Sequence, residues 1–331
     1  MRNRLIFVFI ISVLLFSFAL FIGCSPIRSE NPSPTKPYVI SSPQTPFTTL
    51  PPEAVLKTYH VSGWVVYSIF SDSKKSTEKI LLTNLDTNET IQLTNSGSNN
   101  APKWSSDGNQ ILFLSWTEKN HYDIYIMDKD GSNQKPVLST FANERMASLS
   151  PDSKKIVFIS DKDGNDEIYT FNLETQIISR LTNSLVNESF PQWSSDGNQI
   201  AFISSKDTTG RLQVFTMKAN GTNIKQVTAY NLDNFDKNPI WCPDDSCLIF
   251  TRLAGPAKLM FLDLKTMEVT PLLKDIFQAN SDTKIDEGQP SQSPVRGYIT
   301  FSINGVFYAM NMKNREIYPL NIEALDLSLY P

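Results

Sequence analysis

A ten-residue segment of this chain occurs twice with a single change. Residues 102–111 and 191–200 differ only at their second position, and both contain the run Trp-Ser-Ser-Asp-Gly-Asn-Gln-Ile. Weaker copies occur between and after these two, so that equivalent anchor positions recur every 44 to 51 residues. The five anchors are Trp104, Leu149, Trp193, Trp241 and Gln292. The chain is therefore predicted to fold as an array of repeated units.

The length of the repeat and the pattern inside it predict an all-β unit. A period near this length suits a four-stranded propeller blade, and the apolar spacing near 3.6 of a helical repeat is missing. One unit contains a Ser-Asp-Gly turn followed by apolar strands at 156–159, 167–171 and 178–182. Dividing residues 53–331 by the repeat predicts a six-bladed β-propeller of four-stranded antiparallel blades. Recurrent tryptophans at one position indicate packing between blades rather than ligand stacking.

The two ends of the repeat region are predicted to meet. The first blade begins at Gly63 without a preceding anchor segment, whereas residues 325–331 follow the last blade and occupy the place of another innermost strand. Pairing this C-terminal strand into the first blade would close the ring and remove exposed strand edges.

The N-terminal segment predicts export. Arg2 and Arg4 precede an apolar run that ends at Gly23, and Cys24 follows. This pattern resembles a bacterial lipoprotein signal over residues 1–23, with lipid attached to Cys24 after cleavage. An uncleaved membrane anchor is the alternative, and both interpretations predict an exported protein held at the bacterial cell envelope.

Residues 24–52 are predicted to form a tether. This segment is rich in Pro, Ser and Thr and almost lacks periodic apolar residues. At about 3.1 Å per residue, an extended chain of this kind would hold the following domain up to roughly 90 Å from the membrane. A proline-rich recognition ligand is the alternative function of such a segment.

Several repeat segments resemble a known family. Residues 187–197, 160–169 and 180–183 look like the TolB-type propeller repeat, and the resemblance covers residues 60–331. It implies a six-bladed propeller located outside the cytoplasm. TolB itself carries an additional N-terminal α/β domain, and the Pro-rich segment stands at that place here. A role in the Tol system is therefore not carried over. Related propellers precede peptidase domains, but no G-x-S-x-G nucleophile motif occurs in this chain.

A set of mostly acidic residues lies five positions before the anchors. In a propeller these positions fall where each innermost strand begins, so symmetry would place them around one mouth of the central channel. Converging carboxylates would repel one another unless a cation, such as calcium, or a basic group of a partner were bound. In the alternative interpretation, each residue only caps its own strand. The positions are Asn99, Glu144, Glu188, Asp236 and Glu287.

The cysteines and the acidic turns have simpler interpretations. Cys242 and Cys247 flank a hairpin turn, and in an exported protein they are expected to form a local disulfide. The turns at 128–133 and 161–166 depart from calcium-loop spacing, so no metal site is predicted there.

The net charge and the long connections limit the classes of function that the sequence predicts. The formal net charge is −4, which argues against nucleic-acid binding because such proteins carry a basic stripe. The long connections at 230–238 and 275–288 mix Phe235 and Phe277 with polar residues, and binding usually lies on such loops. We predict a monomeric scaffold without catalysis and without a resident cofactor, which binds a protein or peptide of the cell envelope. The alternatives are a carbohydrate-active enzyme or a ligand sensor that uses the channel-mouth carboxylates.

Overall fold

The computed structural model describes most of the repeat region. The predicted signal and tether, including Cys24, lie outside the described residues, and so does Phe277 of the predicted long connection. Within the described part, no segment forms a helix with the length and apolarity that a membrane crossing requires. The described residues are 62–71, 77–116, 121–205, 211–229, 235–273, 287–293, 297–322 and 324–330.

Six four-stranded sheets follow one another along the chain. Blade 1 contains β1 (Trp64–Phe70), β2 (Glu78–Asn84) and β3 (Thr90–Gln92). Blade 2 contains β4 (Ser98–Trp104), β5 (Gln110–Trp116), β6 (Tyr122–Asp128) and β7 (Lys135–Leu138). Blade 3 contains β8 (Glu144–Leu149), β9 (Lys155–Ser160), β10 (Glu167–Asn172) and β11 (Ile178–Arg180).

The second half of the chain repeats the same order. Blade 4 contains β12 (Ser189–Trp193), β13 (Gln199–Ser205), β14 (Leu212–Lys218) and β15 (Lys225–Gln226). Blade 5 contains β16 (Phe235–Trp241), β17 (Cys247–Leu253), β18 (Ala257–Asp263) and β19 (Val269–Pro271). Blade 6 contains β20 (Glu287–Gln292), β21 (Tyr298–Ile303), β22 (Val306–Asn311) and β23 (Ile317–Pro319), and β24 (Asp326–Tyr330) follows it. The predicted six-bladed all-β propeller is confirmed.

The C-terminal strand closes the ring. In the first sheet the order is β24-β1-β2-β3, so β24 supplies the innermost strand that the N-terminal end of this blade lacks. It runs antiparallel to β1, with Asp326 opposite Ser68 and Tyr330 opposite Trp64. Leu327 and Leu329 of β24 are buried. The predicted closure is confirmed.

The hydrophobic core lies between neighbouring blades. The middle strands carry apolar residues on both faces, as in β9, where all residues after Lys155 are buried. Trp104 packs with Val66 and Ile80 of blade 1 as well as with Ile111 of its own blade. Its indole N–H donates to the backbone oxygen of Ser328 at 3.2 Å. The anchor tryptophans therefore join blades, in agreement with the sequence interpretation.

The innermost strands of blades 2 to 6 share a bulge. In blade 2 the pairing register shifts between Asn100 and Lys103, and Ala101 adopts a left-handed φ of 50°. Met146 and Phe190 hold the same conformation at the equivalent positions of blades 3 and 4. A bulge changes the direction of the residues that follow it. The bulge therefore determines how the residues after it in each innermost strand are directed toward the channel.

A disulfide joins Cys242 and Cys247 across the hairpin between β16 and β17. Because the two residues are separated by 5 positions, the closed loop is small, and we expect reduction to lower the free energy of unfolding by about 2 kcal/mol. Denaturant titrations with and without dithiothreitol measure this change. A Cys242→Ala/Cys247→Ala variant is the control and should not respond to the reductant. Equal midpoints for the native protein under both conditions would contradict the prediction.

Candidate functional site

The predicted acidic set lies at one end of the propeller. We call this end the top face and define it as the end at which the innermost strands β4, β8, β12, β16 and β20 begin. Each predicted residue is the first or second residue of its strand or directly precedes it. All of their side chains are buried, with exposures between 0% and 5%. The residues are Asn99, Glu144, Glu188, Asp236 and Glu287.

Two of the carboxylates are neutralised by basic side chains. The guanidinium of Arg252 donates to both carboxylate oxygens of Asp236, from Nε at 2.7 Å and from Nη2 at 3.0 Å. Lys258 Nζ lies 3.2 Å from Glu287 Oε1, and the backbone N–H of Leu259 donates to Oε2 of the same residue at 3.0 Å. Both carboxylates therefore hold neighbouring strands together.

Glu188 shares a buried site with a second carboxylate. Ser184 and Ser204 donate to Glu188 Oε1 at 2.8 and 3.1 Å. Burial raises the pKa of Glu188, and the hydrogen bond and negative charge of Glu167 raise it further. Glu167 is stabilised in its ionised form by Arg180, whose Nη2 lies 2.9 Å from Oε1. Protonation of this pair is therefore favoured on Glu188 over Glu167.

Glu144 is the most isolated carboxylate of the set. Thr140 donates to Glu144 Oε1, whereas Oε2 is buried without a hydrogen-bond partner. Burial and the nearby Asp123 carboxylate raise the pKa of Glu144 to about 7, although the hydrogen bond from Thr140 opposes the change. Asp123 in turn lies 3.1 Å from His121 Nε2. Glu144 therefore titrates near neutral pH.

These contacts lie between strands and blades rather than around one shared ligand position. Asn99 instead makes a local contact, in which its amide donates to the backbone oxygen of Ser96 at 2.7 Å. Among the described residues, no group of three or more His, Cys, Asp or Glu side chains is arranged to hold a metal ion. Each residue thus has its own partners near the start of its strand, and strand capping by the whole set stays a prediction. Calcium binding at the channel mouth stays a prediction.

Two exposed apolar residues on the top face escaped the sequence analysis. Phe141 is 94% exposed and Leu185 is 95% exposed. They lie in the connections that lead into β8 and β12, and each stands three positions before the buried glutamate of that strand. The signal in the sequence is an apolar residue at the same place in two successive connections. Phe235, at the start of β16, is 41% exposed on the same face.

The central channel contains a ring of six residues, five of them polar, that the sequence analysis also missed, and we call it the polar ring. In blades 2 to 6 it consists of the residue directly before each anchor, and β24 supplies the sixth member. All six line one cavity of about 220 Å³. The signal in the sequence is the fixed position next to the anchor. The members are Lys103, Ser148, Gln192, Ile240, Ser291 and Ser328.

Comparisons with known proteins agree with this architecture. A family model described as TolB beta propeller domain matches residues 65–170 and 148–306. A protein from Chlorobium luteolum named "Protein TolB homolog" is 27% identical over 106 residues. That match covers 32% of this chain and 24% of the relative, so the chain spans only about a quarter of the relative's length.

Solved structures show the same fold. TolB from Acinetobacter baumannii superposes with a TM-score of 0.64 at 21% identity, over 81% of this chain and 67% of that chain. An oligogalacturonate lyase from Vibrio parahaemolyticus superposes with a TM-score of 0.51 at 13% identity, over 73% and 71%. At these identities the similarity concerns the fold alone. Because the family model spans more than half of the sequence, the chain belongs to the TolB beta propeller domain family.

Proposed function

We propose that this protein is a non-catalytic scaffold that binds a protein or peptide partner of the cell envelope through its top face. The observation that carries the proposal is the pair of Phe141 and Leu185, which are 94% and 95% exposed at equivalent positions of neighbouring connections. Fully burying one such side chain contributes about 1.5–3 kcal/mol. Two of them on one rigid face provide anchors that a protein partner could cover.

The scaffold around these residues suits recognition. The ring is closed by β24, so the connections on the top face are held by paired and packed strands. Loops that are positioned by a rigid framework commonly carry binding. Trp116, which is 42% exposed, lies at the end of β5 on the same face and contacts Tyr122 edge-on, with ring centroids 4.9 Å apart. Apolar contact area on this face thus extends across blades 2 to 5.

We further propose that the propeller is monomeric and is held outside the cytoplasm by a lipid on Cys24. The support is the signal-like pattern of residues 1–23 and the Pro-rich composition of residues 24–52. The disulfide between Cys242 and Cys247 is consistent with an oxidising compartment. The family also supports a location in the cell envelope.

Recognition is favoured over catalysis by the state of the predicted carboxylates. Asp236 and Glu287 are paired with Arg252 and Lys258, and Glu188 is hydrogen-bonded to Ser184 and Ser204. Acid and base groups of a glycosidase must instead reach the bond that is cleaved. The similarity to the oligogalacturonate lyase, at 13% identity, supplies no catalytic residue.

Site-specific photo-crosslinking tests the proposed binding face. A photo-reactive amino acid is placed at position 141 or 185 in cells that produce the protein naturally, and crosslinked products are identified by mass spectrometry. Position 224 is the control because Ile224 is 50% exposed on the opposite face. We expect positions 141 and 185 to give a crosslink to the same partner protein. Position 224 should give much less of that crosslinked product.

A second variant separates contact from proximity. Leu185→Asp should reduce the crosslink formed from position 141 by tenfold or more, because losing about 1.5–3 kcal/mol of apolar burial weakens binding by that order. Identical products from all three positions, or none from positions 141 and 185, would exclude the top face as the binding surface.

A further inference from the structure

The polar ring in the central channel carries a single basic side chain. Each of the six blades contributes one residue, and these residues are Lys103, Ser148, Gln192, Ile240, Ser291 and Ser328. A second cavity of about 240 Å³ on the side of the top face is also lined by Lys103, Gln192 and Ser291. The ring therefore stands where the channel can be reached from both sides.

The ammonium of Lys103 is incompletely satisfied by the protein. Lys103 Nζ donates to Ser291 Oγ at 3.1 Å, and this is its only hydrogen bond within the described part of the chain. An ammonium has three N–H donors. Burial lowers the pKa of Lys103, and the negative charge of Asp326 acts in the opposite direction. Among the described residues Asp326 forms no direct ion pair with Lys103, and its oxygens accept from Ser68 at 2.8 Å and from the backbone of Ala101 at 3.0 Å.

A buried indole N–H in the same cavity also lacks an acceptor. Trp193 is 5% exposed, lines the cavity, and has no hydrogen-bond partner for Nε1. The equivalent indoles of Trp104 and Trp241 donate to backbone oxygens of Ser328 and Gln192, at 3.2 and 3.1 Å. Leaving a buried donor unpaired costs about 1–3 kcal/mol. In blade 4 no acceptor for this N–H occurs among the described residues, and because the nitrogen itself has almost no exposed surface, it does not face the open cavity.

The remaining polar groups of the ring add donors of the same kind. The hydroxyl of Ser148 and the amide of Gln192 line the cavity, and neither side chain has a hydrogen-bond partner among the described residues. Together with Lys103 they form a set of donors with one positive charge. Such a set matches an acceptor that carries negative charge and several oxygens.

The size of the cavity restricts the ligand. A volume of about 220 Å³ is smaller than that of a typical drug-sized pocket, which begins at about 300 Å³. Water occupies about 30 Å³ per molecule in the liquid, so the cavity has room for a few waters or for one compact anion.

We propose that the central channel is a binding site for a compact oxyanion, held by the Lys103 ammonium together with Ser148 and Gln192. This site is independent of the protein-binding role proposed for the top face, because its donors lie inside the ring. The ligand enters from bulk solvent and exchanges with the water of the channel. The negative charge of the ligand would neutralise the Lys103 ammonium, with which Asp326 forms no direct ion pair.

Isothermal titration calorimetry with inorganic phosphate tests the site on the purified full-length protein. Ionic strength is held constant with sodium chloride so that general screening does not change. We expect saturable binding by the native protein and a dissociation constant at least about tenfold higher for Lys103→Met, since a hydrogen bond to a charged group contributes about 1.5–3 kcal/mol. Lys129→Met is the control because Lys129 is exposed on a turn, and its affinity should equal that of the native protein.

Two further variants keep the test decisive if Lys103→Met does not fold. Asp326→Asn removes the negative charge that competes for the ammonium and repels the ligand, so phosphate should bind several-fold more tightly. Gln192→Leu removes the amide donor from the ring, so phosphate should bind more weakly. Absence of saturable binding by the native protein would overturn the proposal. Unchanged affinity in Lys103→Met, or unchanged or weaker binding in Asp326→Asn, would also overturn it.

Discussion

Deletion of residues 323–331 should abolish the cooperative thermal transition of the propeller. The deleted segment contains all of β24, which provides the innermost strand of blade 1 through its pairing with β1. Without it, the backbone groups of β1 that face the channel lose their partners, and an unpaired strand edge is exposed. The ring would open between blades 1 and 6, and both blades would lose contacts.

The size of the expected effect follows from the buried side chains. Leu327 and Leu329 are 2% and 1% exposed, and truncation of one buried leucine to alanine typically costs 2–5 kcal/mol. Ser293 Oγ also donates to the backbone oxygen of Leu329 at 2.9 Å, so blade 6 is tied to the same strand. The summed loss is comparable to the total stability of an ordinary domain, which is about 5–15 kcal/mol.

Circular dichroism during heating measures the result. Leu329→Ala should give an intermediate loss of about 2–5 kcal/mol, because it leaves the strand pairing in place. Leu185→Ala is the matched control, since Leu185 is 95% exposed and its truncation removes little packing. A deletion variant that melts cooperatively at the temperature of the native protein would show that β24 does not close the ring.

The fold could be predicted from the sequence because the pattern of one blade occurs several times along the chain. The anchors Trp104, Trp193 and Trp241 mark equivalent strands, and the surplus strand at residues 325–331 has one vacant place in the ring. Local bulges were not predictable in the same way. Ala101 and Phe190 adopt left-handed backbone conformations although neither is a glycine, and the surrounding strands impose this geometry.

The environment of the candidate site was less predictable because its contacts connect distant parts of the chain. The position five residues before each anchor identifies Asp236, but its basic partner Arg252 lies on the next strand. Lys103 and Ser291 meet across the channel, 188 residues apart in the sequence. A repeat shows which positions are equivalent, whereas the residues that face them differ between blades. Equivalent positions therefore acquired different electrostatic environments.

Glu144→Gln should stabilise the protein at pH 8 and have little effect at pH 5. Burial and Asp123 raise the pKa of Glu144 to about 7, above the value of 4.5 for an unperturbed glutamate. The native state therefore binds a proton that the unfolded state releases between these values, and stability falls as pH rises from about 4.5 to about 7. The ionised carboxylate costs up to about 3 kcal/mol above that range, and a neutral amide removes this cost.

Asp236→Asn should destabilise the protein at both pH 5 and pH 8, although Asp236 occupies the position in blade 5 that is equivalent to Glu144. Arg252 donates to both oxygens of Asp236 at 2.7 and 3.0 Å, and its side chain is only 16% exposed. Removing one partner of such a buried pair typically costs 3–5 kcal/mol because the other charge is left uncompensated. Urea titrations of both variants and the native protein at pH 5 and pH 8 measure the changes.

The two substitutions decide whether the repeat position has one role or several. Suppose that the carboxylates five positions before the anchors formed one ring at the channel mouth and repelled one another. Neutralising either Glu144 or Asp236 would then relieve repulsion and stabilise the protein. Changes of opposite sign in the free energy of unfolding at pH 8 would instead show that the neighbours of each residue determine its effect. These neighbours are Asp123 for Glu144 and Arg252 for Asp236. Stabilisation by both substitutions at pH 8 would restore the common ring and with it the expectation of a cation at the channel mouth.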